Sequence, residues 1–127
     1  MPRVDDESLG DDRVLLRRIV SSWIIHESGT YRPQSIAFVD RYTFEVSVFV
    51  ADLTDPETVL RGHPDDSLVA FRVEIPRSAG GIVACTPENP DASHRVICYP
   101  NPSRMRAAGK LIAERAQWIK FIPPVSS

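Results

Sequence analysis

The sequence has few cysteines and no long apolar run. Its two cysteines, Cys85 and Cys98, do not form a CxxC pair, and its three histidines lack metal-ligand spacing, so neither a metal site nor a cofactor is predicted. A chain without a basic-flanked apolar leader or a membrane-spanning run fits a cytoplasmic protein. We therefore expect both thiols to be reduced and buried as small core residues on neighbouring strands, with a redox pair as the alternative.

Several signature motifs of enzymes are also absent. The sequence contains no GxGxxG, GxxxxGK[ST], GxSxG or HExxH pattern. A dinucleotide enzyme, a P-loop enzyme, a serine hydrolase and a zinc protease therefore all lack their required parts. These absences favour a binding protein over an enzyme, although they do not exclude an enzyme of another type.

Length and composition predict one globular domain. The chain has 127 residues, of which 43% are hydrophobic and 25% are charged, as in an average globular protein. Its net charge of −2 argues against nucleic-acid binding. We expect residues 1–11 to form a flexible acidic lead-in that does not pack, residues 12–122 to form the domain, and residues 123–127 to form a flexible tail.

The segment after the lead-in has helical spacing. Its apolar residues fall at i, i+3, i+4 and i+7, namely Leu16, Ile19, Val20 and Trp23. This spacing predicts an N-terminal helix that starts near Asp12. Residues 21–25 would also suit an extended segment, because they include β-branched and aromatic side chains.

Apolar residues in the middle of the chain predict short strands. The strand segments are 35–39, 43–50, 68–75, 82–85 and 95–99, and the clearest of them alternate with period two. A capping-box pattern from Thr54 to Glu57 predicts a short connector helix over residues 56–61. Because no long helix separates the strands, we expect them to pair antiparallel.

The strongest helix signal lies near the C-terminus. Asn101 and Pro102 form an N-cap and first-turn pair. The helix should bury a stripe of apolar residues, namely Met105, Ala108, Ile112, Ala116 and Ile119, widened by Leu111 and Trp118. The predicted fold class is α+β, with a single antiparallel sheet of four to five strands, an N-terminal helix, a short connector helix and a C-terminal helix packed on one face.

Three residues in the middle of the chain are candidates for chemistry. His94 and Ser35 are the candidate catalytic residues, because an imidazole titrates near neutral pH and a hydroxyl can bind or react. Arg32 is a candidate ligand-binding residue, because its fork of donors suits a phosphate or a carboxylate. Each has a structural alternative, with His94 pinning its loop by a hydrogen bond and Arg32 closing a turn onto backbone carbonyls.

Two patterns resemble a family. They are Arg-Pro-x-Ser-x-Ala-Phe over residues 32–38, followed by a Ser-Val pair at 47–48, and Pro-x-x-Pro-x-x-x-His over residues 87–94. Together they resemble a group of small bacterial proteins with no assigned activity. The resemblance covers the middle of the chain and implies no activity. It does imply that the arginine, the serine and the histidine recur together, as they would in a shared site.

The C-terminal helix begins with cations near the positive end of its dipole. Arg104 and Arg106 occupy this unfavourable place. With Lys110, they are predicted to form an anion-accepting patch that binds a ligand. The alternative is that acidic residues 5–12 fold back onto the patch, so that no partner is needed.

These observations predict a small cytoplasmic bacterial protein that binds a protein or an anionic partner. One alternative is a phosphate-handling hydrolase or transferase, in which His94 is the general acid or base and Arg32 holds the anion. The other is nucleic-acid binding through the C-terminal helix, which the net charge disfavours. No membrane partner is predicted.

Overall fold

The computed structural model describes residues 3–124 of the chain. This part forms three α-helices, three short 3₁₀ turns and eight strands. The helices are α1 (Pro56–Leu60), α2 (Glu74–Ser78) and α3 (Pro102–Arg115), and the 3₁₀ turns are Ser21–Trp23, Ser35–Phe38 and Ala51–Leu53. The strands are β1 (Val14–Ile19), β2 (Ile24–Glu27), β3 (Thr30–Pro33), β4 (Glu45–Val50), β5 (Ser67–Arg72), β6 (Ile82–Cys85), β7 (His94–Cys98) and β8 (Gln117–Lys120).

The predicted α+β class with an antiparallel sheet and a C-terminal helix is confirmed. Six strands form one sheet in the order β6-β7-β4-β1-β5-β8, and β2 and β3 form a separate hairpin. All pairs in the sheet are antiparallel. The prediction of a single sheet of four to five strands was wrong, because β1 and β8 were assigned to helices and the β2–β3 hairpin stands apart.

Apolar side chains pack on both faces of the sheet. On one face, here called the core face, α3 inserts Ile112 into the main core beside Leu15 and Val46. On the other, here called the α1 face, Leu60 of α1 packs in a smaller cluster with Leu16. Leu15 and Leu16 are neighbours in β1, so this central strand is covered on both sides.

The predicted N-terminal helix is wrong. Residues Val14–Ile19 form β1, which pairs with β4 on one side and with β5 on the other. The helical spacing of Leu16 and Ile19 is accidental, because Leu16 faces the α1 cluster and Ile19 faces the main core. A strand that is covered on both faces does not show the alternation by which strands are recognised.

Of two further predicted strands, the one over 35–39 was wrong, and the one over 68–75 has different bounds. Residues Ser35–Phe38 form a 3₁₀ turn with Ala37 and Phe38 buried. The strand predicted over 68–75 ends at Arg72, and α2 follows it. Pro76 lies in the first turn of α2, where a proline costs little because that N–H has no partner within the helix.

The N-terminal part of α3 follows the prediction, and its C-terminal part does not. The Asn101 side chain caps the helix by accepting a hydrogen bond from the Arg104 backbone N–H at 2.9 Å. The helix ends at Arg115, and the chain then becomes extended and adds β8 to the edge of the sheet beside β5. Ile119 therefore lies on a strand and is 49% exposed instead of belonging to the buried stripe.

The acidic lead-in packs against the domain, in contrast to the expectation of a segment that does not pack. Leu9 is 3% exposed and belongs to the main core. Asp5 forms an antiparallel bridge with Ala84, and the Asp6 backbone N–H donates to the Val83 oxygen at 2.7 Å. Residues 1–2 and 125–127, which belong to the predicted lead-in and tail, lie outside the described residues. Within residues 3–124, no helix is both long enough and apolar enough to span a bilayer.

Candidate functional site

Three of the predicted site residues line one groove between the hairpin and α3. The groove has a volume of about 360 Å³. Residues around the hairpin form one wall, and these are Ile25, Arg32, Gln34 and Ser35. The other wall is α3, through Lys110, Ala113 and Glu114. The structure thus brings together Arg32, Ser35 and Lys110, which are far apart in the sequence. We call this site the hairpin groove.

Local backbone contacts hold the hairpin wall in place. The Gln34 backbone N–H donates to the Trp23 oxygen at 2.7 Å, which closes the base of the hairpin, and the Gln34 oxygen accepts from Ala37 at 3.0 Å. On α3, Gly109 lets the 3₁₀ turn approach closely, because a Cβ there would lie 3.0 Å from the Ser35 oxygen. A larger residue at position 109 would therefore push the two walls apart.

The polar groups of the hairpin groove differ in how far they are already paired. Arg32 forms an ion pair with Glu27 at 2.7 Å, and both side chains are about half exposed. Lys110 and Glu114, one helical turn apart, form no ion pair with each other or with any other described residue. With respect to residues 3–124, the groove is therefore lined by one unpaired cation, one cation shared with Glu27, an amide, a hydroxyl and the unpaired carboxylate of Glu114.

His94 lies outside the hairpin groove and contacts residues of its own loop and of β4. Its Nδ1 atom is 2.7 Å from the Thr86 hydroxyl, which ties the two ends of the loop between β6 and β7 together. Its ring stands edge-on to Phe49, with ring centroids 5.4 Å apart. Burial lowers the pKa of His94 from its ordinary value. These contacts match the loop-pinning interpretation.

The structure does not bring His94 and Arg32 to one pocket. In the sheet register, His94 pairs with Phe49, and Phe49 pairs with Leu16, so all three side chains lie on the α1 face. Arg32 borders α3, which covers the core face. A ligand held by Arg32 would have the whole sheet between itself and the imidazole. The predicted pairing of these two residues for phosphate chemistry has no geometric basis.

The predicted cationic patch at the start of α3 is also divided. Arg104 folds against Gly80, where a Cβ would lie 3.2 Å from the Arg104 Cδ. Lys110 lines the hairpin groove, and Arg106 is exposed and lies about 200° around the helix from Arg104. The three cations therefore do not form a single surface.

The acidic lead-in does not fold onto that patch. Arg77 forms ion pairs with Asp5 at 2.9 Å and with Asp11 at 2.7 Å. Asp6 pairs with Arg95 at 3.1 Å. Sequence reasoning missed both arginines, because one lies in α2 and the other in β7. The only signal was the density of aspartates near the N-terminus, which does not identify their partners.

Both cysteines are free thiols, but neither belongs to the core. Cys85 is exposed and Cys98 is partly buried, so the expectation that both are buried was wrong. Cys98 donates to Glu45 at 3.6 Å. Burial and the neighbouring carboxylate raise the pKa of Cys98 to about 12, and burial and Asp6 also raise the pKa of Cys85.

Comparison with known proteins adds no assignment. No protein-family model, no curated protein and no solved structure matches the chain. Across residues 3–124, no three histidine, cysteine, aspartate or glutamate side chains are grouped so that they could hold a metal ion.

Proposed function

We propose that this protein is a binding protein and that the hairpin groove holds an acidic segment of a partner protein. The observation that carries the proposal is the convergence of Arg32, Ser35 and Lys110 on one groove. Guanidinium and ammonium groups are the usual partners of carboxylates, and the serine hydroxyl adds a neutral donor.

The walls of the groove favour a peptide over other anions. Ile25 and Ala113 give the groove apolar surface, which an extended peptide can cover with a side chain. A phosphate ion is bound best by several donors converging on one point, whereas Arg32 is already shared with Glu27. The net charge of −2 disfavours a nucleic-acid backbone, which carries a regular row of negative charges.

The cellular location belongs to the same proposal. Cys85 is an exposed, unpaired thiol, which is open to oxidation outside a reducing compartment, and the cytoplasm is therefore our proposed location.

Binding of a labelled acidic peptide tests the proposal. The probe is fluorescein-labelled hexaglutamate, measured by anisotropy at low and moderate salt. We expect salt-sensitive binding, since exposed charges are screened over about 8 Å at physiological ionic strength. Amide-resolved NMR should show the largest shift changes at Gln34, Ser35 and Ala113.

Matched variants assign the binding to the groove. Lys110→Ala and Arg32→Ala should each weaken binding severalfold, while Arg61→Ala, which removes the same charge from an exposed site after α1, should not. Equal losses in all three variants would indicate binding by overall charge and would contradict the proposal. Tighter binding of inorganic phosphate or of a thymidine oligonucleotide at the same residues would also contradict it.

A further inference from the structure

A second cavity lies at the end of β7, away from the hairpin groove. Its volume is about 390 Å³, within the range of about 300 to 1,000 Å³ that is common for small-molecule sites. Its apolar wall consists of Phe44, Ile82, Tyr99 and Pro100. These residues come from the start of β4, the start of β6 and the chain after β7. We call it the Tyr99 cavity.

Backbone contacts give this cavity a fixed shape. Phe44 has a φ of 58°, a left-handed conformation that few residues other than glycine adopt. It is held there from both sides, because its N–H donates to Asp40 at 2.8 Å and its oxygen accepts from Tyr99 at 3.1 Å. The Tyr99 hydroxyl donates to the Phe38 oxygen at 3.3 Å, which fixes its ring in the wall.

The polar side chains in the wall are paired with one another. Glu45 accepts from Arg3 at 3.1 Å and from the Cys98 thiol at 3.6 Å. Arg3 also pairs with Glu88 at 2.7 Å. Because two carboxylates share the single guanidinium of Arg3, these groups leave no unpaired cation for a ligand, and the remaining lining is mainly apolar.

Unlike Arg3, Arg104 near the edge of the cavity forms no ion pair with residues 3–124. Gly80 contributes to the cavity wall, and a Cβ on Gly80 would lie 3.2 Å from Cδ and 3.5 Å from Nε of Arg104. The Arg104 side chain therefore packs against Gly80, next to the residues that line the cavity, although it does not line the cavity itself. Its guanidinium is exposed and forms no ion pair with any residue from 3 to 124.

We propose that the Tyr99 cavity binds a small molecule with an apolar body and a single carboxylate. The apolar body packs against Phe44, Ile82 and Pro100, and the carboxylate pairs with Arg104. The planar guanidinium suits a carboxylate because both of its N–H groups on one side can donate to the two oxygens. This site also explains the cation at the unfavourable end of α3, since a bound anion would sit near the positive end of the helix dipole.

A single negative charge fits the surroundings better than two. Glu45 lines the cavity and, together with Glu88, pairs with Arg3, so the excess negative charge of these three groups would repel a dianion such as a phosphate ester more than a monocarboxylate. A neutral molecule of the same shape would leave Arg104 without a partner. The proposal is independent of the hairpin groove, because the two sites share no lining residue.

Titration of the full chain with phenylacetate and hexanoate tests the proposal. Benzyl alcohol, hexanol and phenyl phosphate are the comparison ligands, and binding is followed by amide-resolved NMR. We expect both carboxylates to shift Phe44, Ile82 and Tyr99, and to bind about tenfold more tightly than the alcohols, as one charge-assisted contact predicts. Absence of carboxylate binding, or tighter binding of the alcohols or of phenyl phosphate, would overturn it.

Two variants with the same charge change locate the carboxylate. Arg104→Gln should reduce the affinity for phenylacetate to about that of benzyl alcohol, a tenfold loss. Arg106→Gln, on the other side of the helix, should leave the affinity unchanged. Both side chains are exposed, so neither change should unfold the protein. Equal effects of the two variants would overturn the assignment to Arg104.

A third measurement tests the apolar part of the site. In a Cys85→Ser background, phenylacetate should slow the labelling of Cys98, because this thiol lies in the cavity wall. Filling the cavity by Ile82→Trp should abolish binding, with circular dichroism as the check on folding. Unchanged labelling at saturating phenylacetate would place the ligand elsewhere and refute the proposal.

Discussion

Arg77 of α2 holds Asp5 of the N-terminal segment by two hydrogen bonds. Nε lies 3.1 Å from Oδ1, and Nη2 lies 2.9 Å from Oδ2. The same guanidinium donates to the Leu9 oxygen at 2.8 Å and to the Asp6 oxygen at 3.0 Å. The Arg77 side chain therefore binds both carboxylates and backbone oxygens of the N-terminal segment. The sequence shows this segment only as acidic and polar.

We predict that Arg77→Ala destabilises the protein by about 1 to 3 kcal/mol, because it removes several partly buried charge-assisted hydrogen bonds at once. Urea unfolding measures the effect. Arg72→Ala is the control, since Arg72 forms a longer, exposed pair with Glu74 at 3.7 Å, for which less than about 1 kcal/mol is expected. Equal effects of the two substitutions would show that the contacts of Arg77 with the N-terminal segment add no more stability than an exposed ion pair.

The lowered pKa of Asp6 predicts how the stability of the protein changes in acid. Burial alone would raise its pKa, but hydrogen bonds from Ser8, Cys85 and Arg95 outweigh burial and lower the pKa from 3.8 to about 2. Since the folded-state pKa is the lower one, the unfolded chain binds more protons between these values. The contribution of Asp6 is therefore complete above pH 3.8 and is lost as the pH falls through 2.

The comparison of wild type with Asp6→Asn isolates this contribution from that of other carboxylates. The difference in unfolding free energy should be constant near neutral pH and should shrink as the pH falls from 4 towards 2. Urea titrations at several pH values measure it. A difference that stays constant down to pH 2 would contradict the depressed pKa of Asp6.

The sequence predicted α3, β4 and α1 because residues within or next to each of these elements determine its structure. The N-cap at Asn101 needs only a side-chain oxygen and a proline at the next position. The alternation of β4 places Val46, Val48 and Val50 in the core, because this strand is covered mainly on one face. The short helix α1 starts after Asp55, which accepts from the Thr58 backbone N–H at 2.8 Å.

The central strand β1 could not be identified from its own residues, because tertiary contacts decide its structure. Arg17 points to the core face, where its guanidinium donates to the backbone oxygens of Ala37 and Ser47, each at 2.7 Å. Burial lowers the pKa of Arg17 to about 10, which leaves it charged near neutral pH. A charged residue at a core-facing position hides the alternation of the strand, and its partners come from distant segments.

The sequence predicted the candidate site only in part. Arg32 and Lys110 were each identified from their charge, but the sequence does not show that the hairpin lies along α3. Arg32 and Ser35 were predicted to share a site because they lie close together in one motif. Gln34 lies between them and also lines the groove, so the same motif could have identified it. His94 was grouped with them by pattern alone, and the register of β7 places it on the other face.

The two thiols should differ in reactivity. Cys85 is exposed, whereas Cys98 is partly buried and has a pKa of about 12. Because the thiolate is the reactive form, we expect iodoacetamide at pH 8 to label Cys85 in the Cys98→Ser variant faster than Cys98 in the Cys85→Ser variant. Mass spectrometry measures the rates. Both thiols should react alike in urea, and faster labelling of Cys98 in native buffer would contradict its burial.

Gly109 sets the distance between the two walls of the hairpin groove, and we predict that Gly109→Ala destabilises the protein. In an exposed helix this change would stabilise by about 1 kcal/mol through helix propensity. Here the new Cβ would lie 2.8 Å from the Val39 Cγ1 and 3.0 Å from the Ser35 oxygen. Overpacking of this kind costs about 1 to 3 kcal/mol, so the sign of the effect should be reversed.

A double-mutant cycle with Val39→Ala tests the cause. Removing the Val39 Cγ1 should relieve part of the clash, so Gly109→Ala should cost less in the Val39→Ala background than in the wild type. The Ser35 contact is to backbone and cannot be relieved in this way, so some cost should remain, together with amide shift changes at Ser35. A Gly109→Ala variant as stable as the wild type, with no change at Ser35, would mean that α3 and the 3₁₀ turn are not in tight contact.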